Sequence, residues 1–245
     1  FSNEQTGSGS VRNGPVFSEF HVAHPFGNGT FATTVRLYNG LRRIDVRTQL
    51  LNNDRWVRYQ ALFPSTIKDG RSVHEIPFGA IERPAGIEFP AQNWVDYSDG
   101  RRGLALLNEG LPGNVVSDGT LMLSLLRSHT LGAYGPDMFS DSGLQLGKQF
   151  TLHYALVAHA GDWRAARVYR DGLDFNRPLI CRKARPHAGK LPPRWGLLTI
   201  SHPNVVLSAL KPGPDGATVL RTYEATGQAT PGVQIKLQAP VGTAH

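Results

Sequence analysis

The residues of this 245-residue sequence that could do chemistry include nine His, nineteen Asp and Glu and one Cys. Cys181 stands alone, so neither an intrachain disulfide nor a thiolate metal cluster can form. His21-Val22-Ala23-His24 looks like a ligand pair. Residues three apart on a strand face opposite sides, however, so the pair would chelate poorly. His159-Ala160-Gly161-Asp162-Trp163 follows a strand and opens a helix, which favours capping by Asp162 and packing by Trp163. Asp96 with Asp99, and Glu75 with Glu82, could supply the two carboxylates of glycosidic hydrolysis. Asp also favours turns, so such pairs arise without catalysis, and spacing does not show that they flank a sugar. Trp56, Trp94, Trp163 and Trp195 could stack on sugar faces. Each sits in or beside an apolar strand or helix start, so core packing is the expectation for all four. No Gly-rich phosphate loop opens a helix, and neither Gly-x-Ser-x-Gly nor His-Glu-x-x-His occurs. Asn28-Gly29-Thr30 fits a glycosylation acceptor, though nothing else points to a secretory route.

Strands must position most of these groups. Phe31, Thr33, Val35 and Leu37 share one face, and Ile44, Val46, Thr48 and Leu50 alternate with Asp45, Arg47 and Gln49. Asn39-Gly40 lies between the two runs, a strong hairpin signal whose residues tolerate the positive φ of a type I′ turn. Residues 56–63, 104–108, 121–127 and 150–158 also read as strands. Asp-Gly and Pro-Gly turns separate them, which predicts an antiparallel sandwich. One helix is predicted after Asp162, with Ala165, Val168, Tyr169 and Leu173 at helical spacing and Gly172 weakening its end. A smaller β unit follows, with strands at 195–201, 205–210, 218–225 and 233–237. The expected organisation is a large sandwich over 1–175, a Pro/basic linker over 176–194 and a small β unit over 195–245.

Lys and Arg number 26 against 19 Asp and Glu, a net charge of +7. The basic residues are scattered, except in Arg177–Arg194, where Arg182, Lys183, Arg185, Lys190 and Arg194 lie among prolines. A solvated linker is the expectation there. No nucleic-acid-reading motif accompanies it, so no nucleic-acid partner is expected. No apolar run is long enough to span a membrane. The N-terminal stretch Phe1 to Ser10 is polar, resembles no signal peptide and lacks an initiator Met. It suggests a chain cut from something longer. A reducing, cytoplasmic compartment fits the single Cys.

Several blocks, in this order, carry a resemblance. Leu37-Tyr38-Asn39-Gly40 and Arg43-Ile44-Asp45 come first. Asn93-Trp94-Val95-Asp96-Tyr97-Ser98-Asp99-Gly100 is the most specific, continued by Gly103-Leu104-Ala105-Leu106-Leu107-Asn108. Asp118-Gly119-Thr120-Leu121 runs on to Leu126-Arg127-Ser128, followed by Tyr154-Ala155-Leu156 and His159 to Trp163. Asn204 to Lys211 and Val219 to Glu224 close the series. Together they resemble the C-terminal region of bacterial-type family 38 glycoside hydrolases, the α-mannosidases, over nearly the whole chain.

The resemblance implies an all-β fold: a large galactose-mutarotase-like sandwich, a smaller β unit, and one short helix between them. It implies a parent enzyme that hydrolyses α-mannosidic bonds with retention, on mannoside or oligosaccharide substrates, with one zinc held in an N-terminal catalytic domain. The family's His-x-Asp zinc motif has no counterpart here, so no metal, cofactor or catalytic residue is expected in this chain, and it is expected to be inactive alone. The N-terminal domain of the same polypeptide is the expected partner. The resemblance points to Arg127 as a substrate contact, because guanidinium donors suit sugar hydroxyls. Bonding to a neighbouring loop is its other reading, and the loops at Asp99 and Asn108 are further candidates for sugar contact. A docking face without its partner would show an exposed apolar patch or a contact between copies, giving a homo-oligomer. Two other readings stay open: a stand-alone carbohydrate-binding sandwich, and a mutarotase-like epimerase using His153 or His159 with a carboxylate that sequence does not identify.

Overall fold

The computed structural model describes residues 4–132, 138–190 and 192–238. Phe1, Ser2 and Asn3 of the polar N-terminal stretch lie outside the described residues. The strands are β1 (Ser8–Asn13), β2 (Phe17–Phe26), β3 (Gly29–Tyr38), β4 (Arg43–Asn52), β5 (Val57–Pro64), β6 (Arg71–Ile76), β7 (Gly79–Arg83), β8 (Phe89–Pro90), β9 (Trp94–Ser98) and β10 (Arg102–Asn108). There follow β11 (Gly113–Ser117), β12 (Thr120–Ser128), β13 (Leu131–Gly132), β14 (Phe139–Ser140), β15 (Lys148–Ala160), β16 (Leu198–Ile200), β17 (Val205–Pro212), β18 (Thr218–Glu224) and β19 (Ile235–Leu237). Contacts divide the chain into two units, Phe1–Ile76 with Ile81–Arg177, and Pro77–Ala80 with Pro178–His245.

The first unit is a sandwich. Its larger sheet has the order β1-β2-β3-β4-β15-β10-β9-β6-β7, and its smaller sheet the order β5-β12-β11-β8. Alternation explains the core. Leu50, Tyr154, Leu106 and Val95 point from the larger sheet onto Tyr59, Leu121, Leu123 and Leu125 of the smaller. A buried hydroxyl pair in that layer is satisfied internally, Thr48 Oγ1 lying 2.7 Å from Tyr154 Oη.

The β3–β4 hairpin forms with Leu37 opposite Ile44 and Phe31 opposite Leu50. Its turn is not type I′, because Gly40 has φ +81° while Asn39 stays at negative φ. The reason is local. Asn39 donates its backbone N–H to Val16 O and its side-chain amide to Pro15 O, which fixes it against the preceding loop.

The expected single helix is two: α1 (Trp163–Ala166) and α2 (Val168–Asn176). Asp162 caps the first, its Oδ1 accepting the Ala165 N–H at 2.9 Å. Arg167, at φ +58°, breaks the helical path between them. Gly172 does not weaken an end. It lets α2 approach β9, since a Cβ there would lie 2.6 Å from Trp94 Cδ1. Trp94, Trp163, Val168 and Tyr169 are all buried, so part of the larger sheet is covered on both faces.

The second unit has two small antiparallel sheets, β16 with β19 and β17 with β18. Glu224 holds it together locally. It accepts hydrogen bonds from Asn204 Nδ2, the Thr226 N–H and the Gln228 N–H. Burial opposes its charge, but a hydrogen bond from the Thr226 hydroxyl, with those three, prevails and holds its pKa at about 2. Phe78, at φ +61°, sits edge-on to Tyr223 in the same unit.

Candidate functional site

Strands β9, β10 and β15 bring the main chemical group of the first unit together. In this sheet Gly103 on β10 lies between Ser98 on β9 and His159 on β15. Asp96 is two residues from Ser98 on the same face. His159 therefore reaches across Gly103 to Asp96, its Nε2 lying 2.6 Å from Oδ1. The Ser98 hydroxyl donates to the other carboxylate oxygen at 2.8 Å. Only glycine permits this, because a Cβ at residue 103 would lie 2.2 Å from His159 Cε1. Burial disfavours the charged imidazole, but the Asp96 hydrogen bond and charge outweigh it, so the His159 pKa is raised.

This pair has the parts of an acid–base device, but both side chains are 0% exposed. A general acid must lie within hydrogen-bond reach of the substrate. Here the imidazole is closed in by the sheet, so its geometry suits a structural clamp. A second buried His behaves oppositely. His74 Nε2 meets Ser72 Oγ at 3.0 Å. Burial, with the nearby Arg83 charge, pushes its pKa down to about 4.

Other titratable pairs are surface features. His153 Nδ1 lies 2.9 Å from Glu109 Oε2 in an exposed pair. His21 Nδ1 meets Thr34 Oγ1 at 3.0 Å, whereas His24 stacks on Phe31 with centroids 5.6 Å apart. Glu75 is buried and accepts the Asn93 N–H at 2.6 Å, while Glu82 is exposed and 3.9 Å from Arg71. Each candidate carboxylate pair, Asp96 with Asp99 and Glu75 with Glu82, is thus split between core and surface. Among the described residues, no group of three or more His, Cys, Asp or Glu could hold a metal, so these residues do not fit a zinc site. No described helix is long and apolar enough to cross a membrane.

The comparison with known families decides the assignment. The model of the glycosyl hydrolases family 38 C-terminal domain matches residues 2–137. The chain belongs to glycosyl hydrolase family 38. Human alpha-mannosidase 2C1 is 34% identical over 178 residues, which is 67% of this chain and 16% of that protein. Alpha-mannosidase G of Dictyostelium discoideum is 27% identical over 241 residues, 90% of this chain and 21% of its own length. The structure of a family 38 glycosyl hydrolase from Enterococcus faecalis superposes with a TM-score of 0.87 at 18% identity. It covers 99% of this chain, and this chain covers 33% of it, so the likeness is one of fold. The family 38 chain thus spans a sixth to a third of these three proteins.

In this family 38 domain the three residues read from sequence lie apart. Arg127 is exposed near the end of β12, opposite Arg58. Arg58 is held by Glu88 at 2.7 Å, while Arg127 has no hydrogen bond or ion pair among the described residues. Asp99 closes the β9–β10 turn, accepting the Arg101 and Arg102 N–H groups at 2.9 Å each. Those two bonds, Arg102 first, lower its pKa. Asn108 is fully buried at the other end of β10, ~20 Å along the strand. Its Oδ1 accepts the Leu111 N–H at 2.9 Å.

The aromatic expectation holds for two of four tryptophans. Trp94 and Trp163 pack together at 5.2 Å in the interior. Trp56 and Trp195 are exposed, Trp56 at 59%. The cause at Trp56 is its backbone: φ +61° takes it out of the strand alternation and sets its ring edge-on to His129 at 4.6 Å. Leu131, Met138 and Phe139 are exposed on segments that follow His129. Asn28 Nδ2 of the glycosylation triplet donates to Asp54 Oδ1 at 2.5 Å.

Sequence reasoning missed the Asp96–His159 clamp. The only local hint was Gly103 inside an otherwise apolar strand, which signals close approach by another group.

Proposed function

We propose that this family 38 region is a non-catalytic supporting part of a retaining, zinc-dependent α-mannosidase. The observation that carries this reading is the match to the family's C-terminal domain in a chain that spans 16% and 21% of two α-mannosidase relatives. The sealed Asp96–His159 pair supports it, since the best-formed acid–base pair in the described residues has no path to a sugar. On this reading, the nucleophile, the acid/base and the zinc ligands belong to the rest of the polypeptide. The zinc would bind sugar hydroxyls there. The sandwich gives that part a rigid wall, and the unpaired Arg127 guanidinium is the group here best suited to a sugar hydroxyl or carboxylate.

The test uses the full polypeptide that carries this chain. It should release the aglycone from an aryl α-mannoside, lose that activity to a chelator and regain it with zinc. The released mannose should first appear as the α-anomer. Activity indifferent to chelation, or the β-anomer as first product, would remove the zinc or the retaining part of the proposal.

A further inference from the structure

We infer that residues 179–190 form an electrostatic strap that lies on an acidic protein surface, with an apolar slot, in the rest of the polypeptide. The inference rests on the reading above, that this chain is one part of a larger α-mannosidase.

The first observation is the distribution of charge. Between Asp174 and Asp215 there is no Asp or Glu, while Arg177, Arg182, Lys183, Arg185, Lys190, Arg194 and Lys211 all fall there. Without those seven, 19 Lys and Arg face 19 Asp and Glu, so this stretch carries the chain's whole net charge of +7. The remainder has no net negative charge with which to hold it.

The second observation is its state. Residues 179–190 have neither helix nor strand, and every one is exposed. Arg182, Lys183, Arg185 and Lys190 make no hydrogen bond or ion pair among the described residues. Leu179 and Ile180 are 96% and 85% exposed. Two adjacent large aliphatic side chains so fully in water are a poor solution for a solvated linker, where polar residues serve as well.

Together these features select the partner. Aliphatic anchors beside a basic run fit a protein surface with an apolar slot and a carboxylate rim. Single-stranded nucleic acid would call for aromatic stacking platforms, and 179–190 contains no aromatic Phe, Tyr or Trp. Pro178 and Pro186 fix φ at two positions and reduce the entropy lost on docking.

Hydrogen exchange of 179–190 in the full polypeptide tests this, with aryl α-mannoside turnover measured on the same sample. At low ionic strength the amides should be protected. High salt, or the combined R182Q, K183Q, R185Q and K190Q variant, should speed their exchange by about tenfold or more. L179S with I180S should weaken protection at either salt. Full exchange at both salts in an active enzyme overturns the strap and leaves the α-mannosidase reading standing. Protection unaffected by salt and by the charge variant overturns its electrostatic basis. Protection that appears only when heparin or a DNA oligonucleotide is added overturns the choice of partner. A protected, salt-sensitive strap in a polypeptide without turnover supports the strap and counts against the α-mannosidase reading alone.

Discussion

His74 and His159 are both buried, yet their neighbours drive them in opposite directions. His159 gains a carboxylate partner and its pKa rises, so its contribution is fully present below the unfolded value of about 6.5 and is lost as pH rises through the folded pKa. His74 is held neutral to about pH 4, so it opposes folding as pH falls from about 6.5, when the unfolded chain takes the proton that the native state refuses. Denaturant unfolding across pH 4 to 8 should separate them. His74→Gln should flatten the acid-side loss of stability, by up to ~3 kcal/mol at pH 4. His159→Gln should cost most at acid pH and progressively less as pH rises. Parallel pH profiles for the two variants would contradict these environments. Gly103→Ala tests the clamp from its other side. The added Cβ collides with the imidazole, and a loss of about 2 kcal/mol is expected in the same measurement. An unchanged stability would mean that His159 does not cross β10 at this point.

At the scale of elements, legibility followed burial. β4, β12 and β15 were readable because one face meets the core and the other is less buried, which writes a period of two into the sequence. β9 was not read as a strand from its own pattern, because all five of its residues are buried and alternation disappears. β1 escaped for the opposite reason, being exposed throughout and rich in Gly and Ser. The Asp162 cap was legible and the break after it was not, since nothing about Arg167 announces a positive φ. The cap has a measurable consequence. Asp162→Ala should destabilise the first unit by ~1 kcal/mol, and Asp162→Asn should recover most of that. Equal losses for both substitutions would show that the cap bond is not what matters. The clamp lay beyond sequence reading because Asp96 and His159, 63 residues apart, meet only once β9, β10 and β15 are laid side by side.

For the whole molecule, family membership changes the meaning of surfaces that a lone domain would leave unexplained. Trp56, Leu131, Met138 and Phe139 are exposed apolar groups, and Arg127 is an unpaired cation. This chain spans a sixth of human alpha-mannosidase 2C1, and on the proposed reading these are groups that the rest of the polypeptide would meet. The central claim is that support and catalysis are divided between parts. Its most direct test is turnover of an aryl α-mannoside by this chain alone and by the full polypeptide, both with zinc supplied and both shown to unfold cooperatively. The expected result is turnover by the full polypeptide and none above background by the isolated chain. Hydrolysis by the folded chain on its own would contradict that division.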